Sequence, residues 1–514
     1  MAFVEPGVAA VEARQADRAK IRAVAAGRRA VVIGAGLGGL AVALRLASAG
    51  WRVTVCERYG SIGGKMNQIE EGGFRFDTGP SLITMPWVFE ELFEAVGERL
   101  EDHIQMVRVA PLCRYLFDDG SRLEMTVRLP DWLASIRNFE GRDAAGFLRF
   151  LSMGAAALEL SRATFFERSP WERPSMADLA ALRRPLPLRT VLPYATVVER
   201  SCRDPRVRQV LNRYTTYVGS DPRRTPAMLS VIPAIEMLHG GWHIRGGLYR
   251  LVRVLGALCE RHEVGIRTGA HVERILTDGN RACGVGLRGG ENLPADVVVM
   301  NGDAARLPRL LGQTTASAER EADRSLSGLA LLFALRGKLD GWPHHQVLFS
   351  GDYSREFDDL FERRRFPSDP TVYVNVPTRT DPSMAPEGCE IVFVMANAPA
   401  NDGDLWDVSM LGEARDRMLA RLDRAGLMSA LSGADLVAEL TPRWLADSFD
   451  MPGGAIYGAN SHGPRRAFLR HPNKARRVGG LYCVGGSVHP GGGTPTVLMS
   501  ARITADLIGK YERI

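Results

Sequence analysis

An α/β fold built around a Rossmann-like dinucleotide-binding unit is predicted by three observations, all within residues 30–64. Val31, Val32 and Ile33 form a β-branched run that ends at a glycine cluster, as a buried parallel strand ends at its turn. Gly34, Gly36 and Gly39 follow at G-x-G-x-x-G spacing and open a helical run. Arg52 to Val55 then reads as a second strand, closed by Glu57.

Each position has its own task. Gly34 permits the tight turn, Gly36 lets a pyrophosphate approach the backbone, and Gly39 lets the helix pack closely on the strand. The helix presents Leu40, Ala43, Leu44, Leu46 and Ala47 on one side and stops at Gly50. Its N-terminal N–H groups and macrodipole favour a phosphate. Glu57 stands about 20 residues past the fingerprint, where a carboxylate accepts both ribose hydroxyls. After Ser61, Gly63, Gly64 and Lys65 comes Gly72 to Ser81, a short strand running into a turn-rich loop. Lys65 and Ser81 are each placed to reach a phosphate or ribityl oxygen.

Composition narrows the function. A chain of 514 residues exceeds one hydrophobic core, so two or more structural units are expected. With 45% hydrophobic and 24% charged residues it is an ordinary globular chain. The net charge of +6 is a mild excess, and no basic run with interleaved aromatics marks a nucleic-acid site, so nucleic acid is excluded as a partner. Seven cysteines, odd in number and never at C-x-x-C spacing, suggest neither disulfides nor zinc, and read as reduced thiols of a cytoplasmic protein. No metal site is predicted. Residues 1–29 lack the apolar core of a secretory signal, and no window offers the 18 or more apolar residues of a transmembrane helix.

Further along, Cys113 to Leu129 reads as strand-turn-strand around Asp118, Asp119 and Gly120, and a mainly helical region follows to about Val218. Within it Arg183, Arg184 and Arg189 alternate with Pro185, Leu186, Pro187 and Leu188, a pattern suited equally to a lipid surface or to a solvated helical subdomain. A helix over Leu248 to Glu260, strands at Gly265, Ala270 to Ile275 and Ala282 to Leu287, and a buried strand Ala295 to Val299 ending at Asn301 repeat dinucleotide-domain grammar. Val372 to Val376 and Ile391 to Met395 are strands of a different unit. The tail runs Leu481 to Val484, Gly485, Gly486, then His489, Pro490, and a last helix whose first turn holds Pro495.

Glu57, the Gly63-Gly64-Lys65 element, Phe76 to Ser81, the Gly240 to Gly247 return and the closing Gly485 to Ser500 segment together resemble the bacterial carotenoid desaturases, the phytoene desaturase family within the amine-oxidase-like flavoproteins. The resemblance covers about Ala30 to Ile508 and is weakest in the middle. It implies FAD as cofactor, in a Rossmann-like domain built from residues 30–112, 240–310 and 471–514. An α+β substrate domain (311–470) and a helical membrane-facing region (113–239) complete the fold, after an N-terminal extension over 1–29. It also implies that the backbone at Val272 faces the adenine, that Gly486 meets the flavin, and that Thr496 and Val497 aim N–H groups at its pyrimidine edge. Many relatives in the wider superfamily carry Gly-Asp where this chain has Gly485-Gly486, which favours the carotenoid branch.

The implied reaction removes two hydrogens from adjacent carbons of an acyclic carotenoid such as phytoene, diapophytoene or a neurosporene derivative. Unactivated C–H bonds give acids and bases little to grip, so no catalytic side chain is assigned and the flavin carries the chemistry. Electrons then pass to a quinone or oxygen, and the substrate comes from a membrane lipid surface that the protein meets peripherally. Three alternatives stay open: a carotenoid terminal-methyl oxidase, an amine oxidase-like flavoenzyme, and a non-catalytic isoprenoid-binding protein of the GDP-dissociation-inhibitor type.

Overall fold

The computed structural model describes residues 27–174, 188–313, 323–401 and 406–512. Arg183 and Arg184 of the basic segment, and most of the N-terminal extension, lie outside the described residues.

At the centre is a parallel five-stranded sheet in the order Leu481–Cys483, Val297–Met300, Arg29–Ile33, Arg52–Cys56, Gly265–Arg267. The strands are short and β-branched because both faces are covered, and all four residues of Val297–Met300 are buried. One face carries the helices Leu37–Ser48, Tyr249–Arg261 and Thr494–Tyr511, whose Leu40, Leu44, Leu251, Leu255 and Leu498 share a core with Val32, Val55 and Val299. The other face carries an antiparallel sheet, Val272–Asp278, Arg281–Leu287 and Asn292–Pro294. Arg29–Ile33 is flanked by Arg52–Cys56 on one side and by Val297–Met300 on the other, so the strand order reverses there, the switch point where ligands bind in open α/β sheets.

A second, seven-stranded mixed sheet runs Asp435–Leu440, Ser327–Arg336, Cys389–Ala398, Val372–Asn375, His345–Leu348, Cys113–Leu116, Arg122–Met125. Its pairs are antiparallel except Cys113–Leu116 with His345–Leu348. The strand-turn-strand read at Cys113 thus completes a sheet whose other strands come more than 200 residues later. Helices Leu129–Arg137, Asp143–Ala163, Tyr194–Ser201, Pro205–Arg213 and Val231–His239 pack on it through Trp132, Phe147, Phe150, Tyr194 and Tyr214. Among the described residues no helix is long and apolar enough to cross a membrane, and no cluster of three or more His, Cys, Asp or Glu is arranged to hold a metal.

Two local readings shift. Trp242–Ile244, inside the glycine-rich return, is a strand paired with Met106–Arg108. The helix expected from Leu248 begins at Tyr249, because Asp77 takes its first amides: Oδ2 accepts from Leu248 N at 2.7 Å and Oδ1 from Tyr249 N at 3.1 Å. Asp77 is therefore a helix cap supplied from a distant segment. Asp77→Ala is expected to lower stability by about 1–2 kcal/mol, read by thermal unfolding, with Asp77→Asn losing less because it keeps one acceptor.

Candidate cofactor and substrate site

The carboxyl ends of the central strands meet at a glycine turn with no room for side chains. Gly34 has φ +94°, and a Cβ there would lie 2.5 Å from the Asn301 carbonyl oxygen. At Gly39 a Cβ would lie 2.1 Å from Gly34 O, which is the close helix–strand approach the spacing predicts. Leu40 N donates the first intrahelical bond, to Gly36 O at 3.0 Å, so the amides of Leu37, Gly38 and Gly39 have no acceptor within the helix. Glu57 is buried with both oxygens engaged at that turn: Oε2 accepts from Ala35 N at 2.8 Å and Oε1 from Tyr59 N at 3.0 Å.

A cavity of about 690 Å³ opens over this turn. Gly34, Gly36, Glu57, Gly64 and Lys65 line it from the first segment, Val272 from the antiparallel sheet, and Gly486 and Val497 from the closing segment. Arg58, Arg288 and Arg306 also reach it. Gly39 lies behind the wall, packed on the strand. Lys65 Nζ donates to Ile456 O at 2.6 Å, and desolvation pulls its pKa down while the Asp303 carboxylate opposes that shift.

The residues Ser81 and Thr496, among the expected cofactor ligands, line a second, neighbouring cavity. Ser81 lies on a neighbouring cavity, its hydroxyl 2.7 Å from Tyr373 Oη, because the loop turns away after Gly79 and Pro80. Thr496 also faces that second cavity, and its hydroxyl donates to Gly493 O at 2.9 Å. Val497 N donates to Gly493 O at 2.9 Å, so its amide is inside the helix and only its side chain meets the cofactor cavity. The amides left at that helix end are those of Thr494 and Thr496, since Pro495 has none.

Asn301 escaped the sequence reading except as the end of a strand. Its Nδ2 donates to Gly34 O at 3.1 Å and stands 3.1 Å from where a Gly36 Cβ would be. A single amide after an apolar strand carries no spacing signal. His489, in the loop before the closing helix, is a packing residue: it is fully buried, and Nε2 lies 2.9 Å from both Phe165 O and Arg168 O. Burial pushes its pKa down to about 4.

The family described as flavin containing amine oxidoreductase matches residues 37–509. The chain belongs to that family. It is 33% identical over 94% of its length to a 1-hydroxycarotenoid 3,4-desaturase of Flavobacterium sp. (strain P99-3), covering 99% of that protein. It is 36% identical to a zeta-carotene-forming phytoene desaturase of Myxococcus xanthus, over 93% of each chain. An oxidoreductase structure from Methanosarcina mazei shares the fold at TM-score 0.62 and 18% identity, covering 93% of this chain and 100% of the other. The protein is an oxidoreductase whose cofactor is FAD. The residues fit that group: a glycine turn leading into helix amides with no intrahelical acceptor, an oriented carboxylate for a ribose, and arginines for a pyrophosphate share one cavity.

Glu57→Ala is expected to lower FAD affinity about 10- to 100-fold, read as flavin retained per protein after dialysis. His489 sets a pH response. Its folded pKa lies below the ordinary value of 6.5, so the unfolded chain takes up the proton first. Its contribution is full above 6.5 and is lost as pH falls towards 4. Melting temperature should therefore fall through that window, less steeply in His489→Asn than in the wild type.

Proposed function

We infer that the chain is an FAD-dependent desaturase of carotenoid biosynthesis, placing carbon–carbon double bonds in an acyclic polyene drawn from a membrane. The observation that carries this reading is a second cavity, of about 390 Å³, that shares the walls Gly79, Pro80, Phe393, Met395, Gly492 and Gly493 with the cofactor cavity. Leu82, Met85, Phe165, Phe166, Met228 and Ile232 make most of the rest of it apolar. The names of the relatives, matched over nearly their whole length, support a carotenoid in that space.

Bound FAD supplies the hydride acceptor. The chain's part is positioning. At Gly492 a Cβ would lie 2.6 Å from the Tyr457 ring, so the partition between the cavities is a glycine backbone packed directly against that ring. The apolar wall excludes water. The Thr494 and Thr496 amides, at the positive end of a long helix, would favour negative charge on a cofactor bound beside them.

Access from a bilayer fits the lip of the second cavity. Met228 and Leu229 lie in the turn Ala227–Ser230, to which the segment ending at Leu192 is bonded, Ala227 N to Leu192 O at 2.8 Å. That segment exposes Arg189 and leaves Val191 57% exposed, an apolar group beside a cation, suited to an anionic lipid surface. Electrons leave to a quinone in the same bilayer or to oxygen.

Acyclic carotenes in liposomes, added anaerobically, are expected to bleach the flavin and red-shift their own spectrum. Bleaching by an amine with every carotene inert overturns the reading, and an oxygenated product makes the enzyme a terminal oxidase. Val191→Asp should reduce flotation with anionic liposomes severalfold while flavin content holds; unchanged flotation would place the membrane contact elsewhere.

A further inference from the structure

Desaturation releases a proton as well as a hydride, and among the described residues no carboxylate, amine or imidazole stands where the two cavities join. We propose that this proton leaves through the Ser81 hydroxyl to His243, across a small polar pocket behind the substrate cavity, and is held there against Asp381. The proposal rests on the desaturase reading and assigns residues that complete its chemistry.

Ser81 lines the substrate cavity close to Gly79, which borders the cofactor cavity as well. Behind it lies a pocket of about 20 Å³, room for one water, that Ser81, Asn375 and His243 line with polar groups. His243, on the strand Trp242–Ile244, is buried, and among the described residues neither of its ring nitrogens has a hydrogen-bond partner. A water in the pocket satisfies the imidazole and joins it to Ser81. On its other side, Nε2 stands 3.7 Å from Oδ2 of Asp381, which is buried as deeply. Asp381 Oδ1 accepts from the hydroxyl of the exposed Ser383 at 2.7 Å, so the far end of the path opens to solvent.

Charge selects His243 from the histidines gathered here. His344 and His345 have no paired carboxylate among the described residues; burial pushes His345 down to about 3 and His344 well below the ordinary value, so neither holds a proton. His243 faces two carboxylates. Desolvation works against ionised Asp381, yet its pairing with His243 and the hydrogen bonds from Gly246 and Ser383 hold its carboxyl well below the usual range. Asp77, on the same pocket, interacts with the His243 charge, although burial pushes its own pKa up. An imidazolium there is compensated, as a buried charge must be. Glu236, in the substrate cavity, has both oxygens taken by the Tyr214 and Tyr217 hydroxyls.

The step balances as follows. One C–H bond of the substrate gives its hydrogen and electron pair to bound FAD. The adjacent C–H bond breaks, its electron pair becomes the new π bond, and its proton goes to Ser81 Oγ. With Tyr373 Oη, 2.7 Å away, as its donor, Ser81 points its own hydrogen into the pocket. That proton moves to the pocket water, which passes one to His243, and Asp381 leads it to solvent before the next turnover. Ser81 is the one member of the path that touches substrate; His243 and Asp381 act through it.

The test reads anaerobic flavin bleaching by an acyclic carotene in liposomes, deuterated at one or the other carbon of a bond that becomes double. With flavin-loaded wild type the rate should respond chiefly to the carbon that yields the hydride. His243→Gln keeps a polar side chain beside Asp381 but cannot hold the proton. Its kcat should fall about 100-fold, with KM and flavin content within about twofold, and the isotope effect at the other carbon should grow. A kcat within about threefold of wild type, or a fall with the isotope pattern unchanged, overturns the proposal. Should His243→Gln lose its flavin, Ser81→Ala decides by the same measurement: a grown effect at the proton-yielding carbon supports the path and an unchanged one overturns it. If no acyclic carotene bleaches flavin-loaded wild type, the desaturase reading itself falls, a different result from an unmoved isotope effect.

Discussion

The site depends on one side chain, Asn301, standing where five glycines converge. Its atoms lie within 3.6 Å of the Cβ positions that Gly34, Gly36, Gly38, Gly39 and Gly485 lack, and its amide holds the Gly34 carbonyl. These glycines come from the opening strand and helix and from the closing segment, so a single polar group at the end of Val297–Met300 ties three parts of the chain to one point. Any side chain at Gly38 or Gly39 would meet Asn301 at 2.8 Å and force the strands apart. Glu57 works from the other side, its carboxylate held by the Ala35 amide of the same turn. Glu57 and the glycine turn are thus set by the same few contacts.

Polarity then divides the interior. The cofactor cavity is rimmed by Arg58, Arg288, Arg306 and Lys65, groups that meet phosphates, while the adjoining cavity is walled largely by Leu, Met and Phe. Their shared boundary, Gly79, Pro80, Phe393, Met395, Ile456, Tyr457, Gly492, Gly493 and Thr494, brings no carboxylate, amine or imidazole to the place where they join. That suits a reaction in which positioning and exclusion of water matter more than proton transfer by a neighbouring acid or base. Two titratable groups of the second cavity, Glu236 and His345, are tied into tyrosine hydrogen bonds.

The central sheet was legible because its signals are local: Val31 to Ile33, the glycine spacing and Val297 to Val299 each announce themselves within a few residues. The seven-stranded sheet was legible only in pieces, since the pairing of Cys113–Leu116 with His345–Leu348 is set by packing between segments far apart in sequence. The glycines of the site could be picked out by spacing, but Asn301 and Asp77 could not, as each acts through one hydrogen-bonding group with no repeat around it. Motif position likewise suggested that Ser81 reaches a phosphate or ribityl oxygen and that Thr496 aims its N–H at the flavin. A turn of one or two residues decides which cavity such a side chain enters, and that is a tertiary fact.

The closing helix shows how little of a motif has to reach a ligand for it to matter. Val497 uses its amide inside the helix and Pro495 has none, so only Thr494 and Thr496 present N–H groups at the end that borders both cavities. Lys65 adds a second positive source from the opposite wall, its Nζ 3.9 Å from where a Gly486 Cβ would be. Burial makes that ammonium costly, and Asp303 offsets part of the cost while being itself pushed towards its neutral form. An anionic group arriving between the helix end and Lys65 would relieve both. A group that carries negative charge between the helix end and Lys65 is therefore favoured over the same group without it.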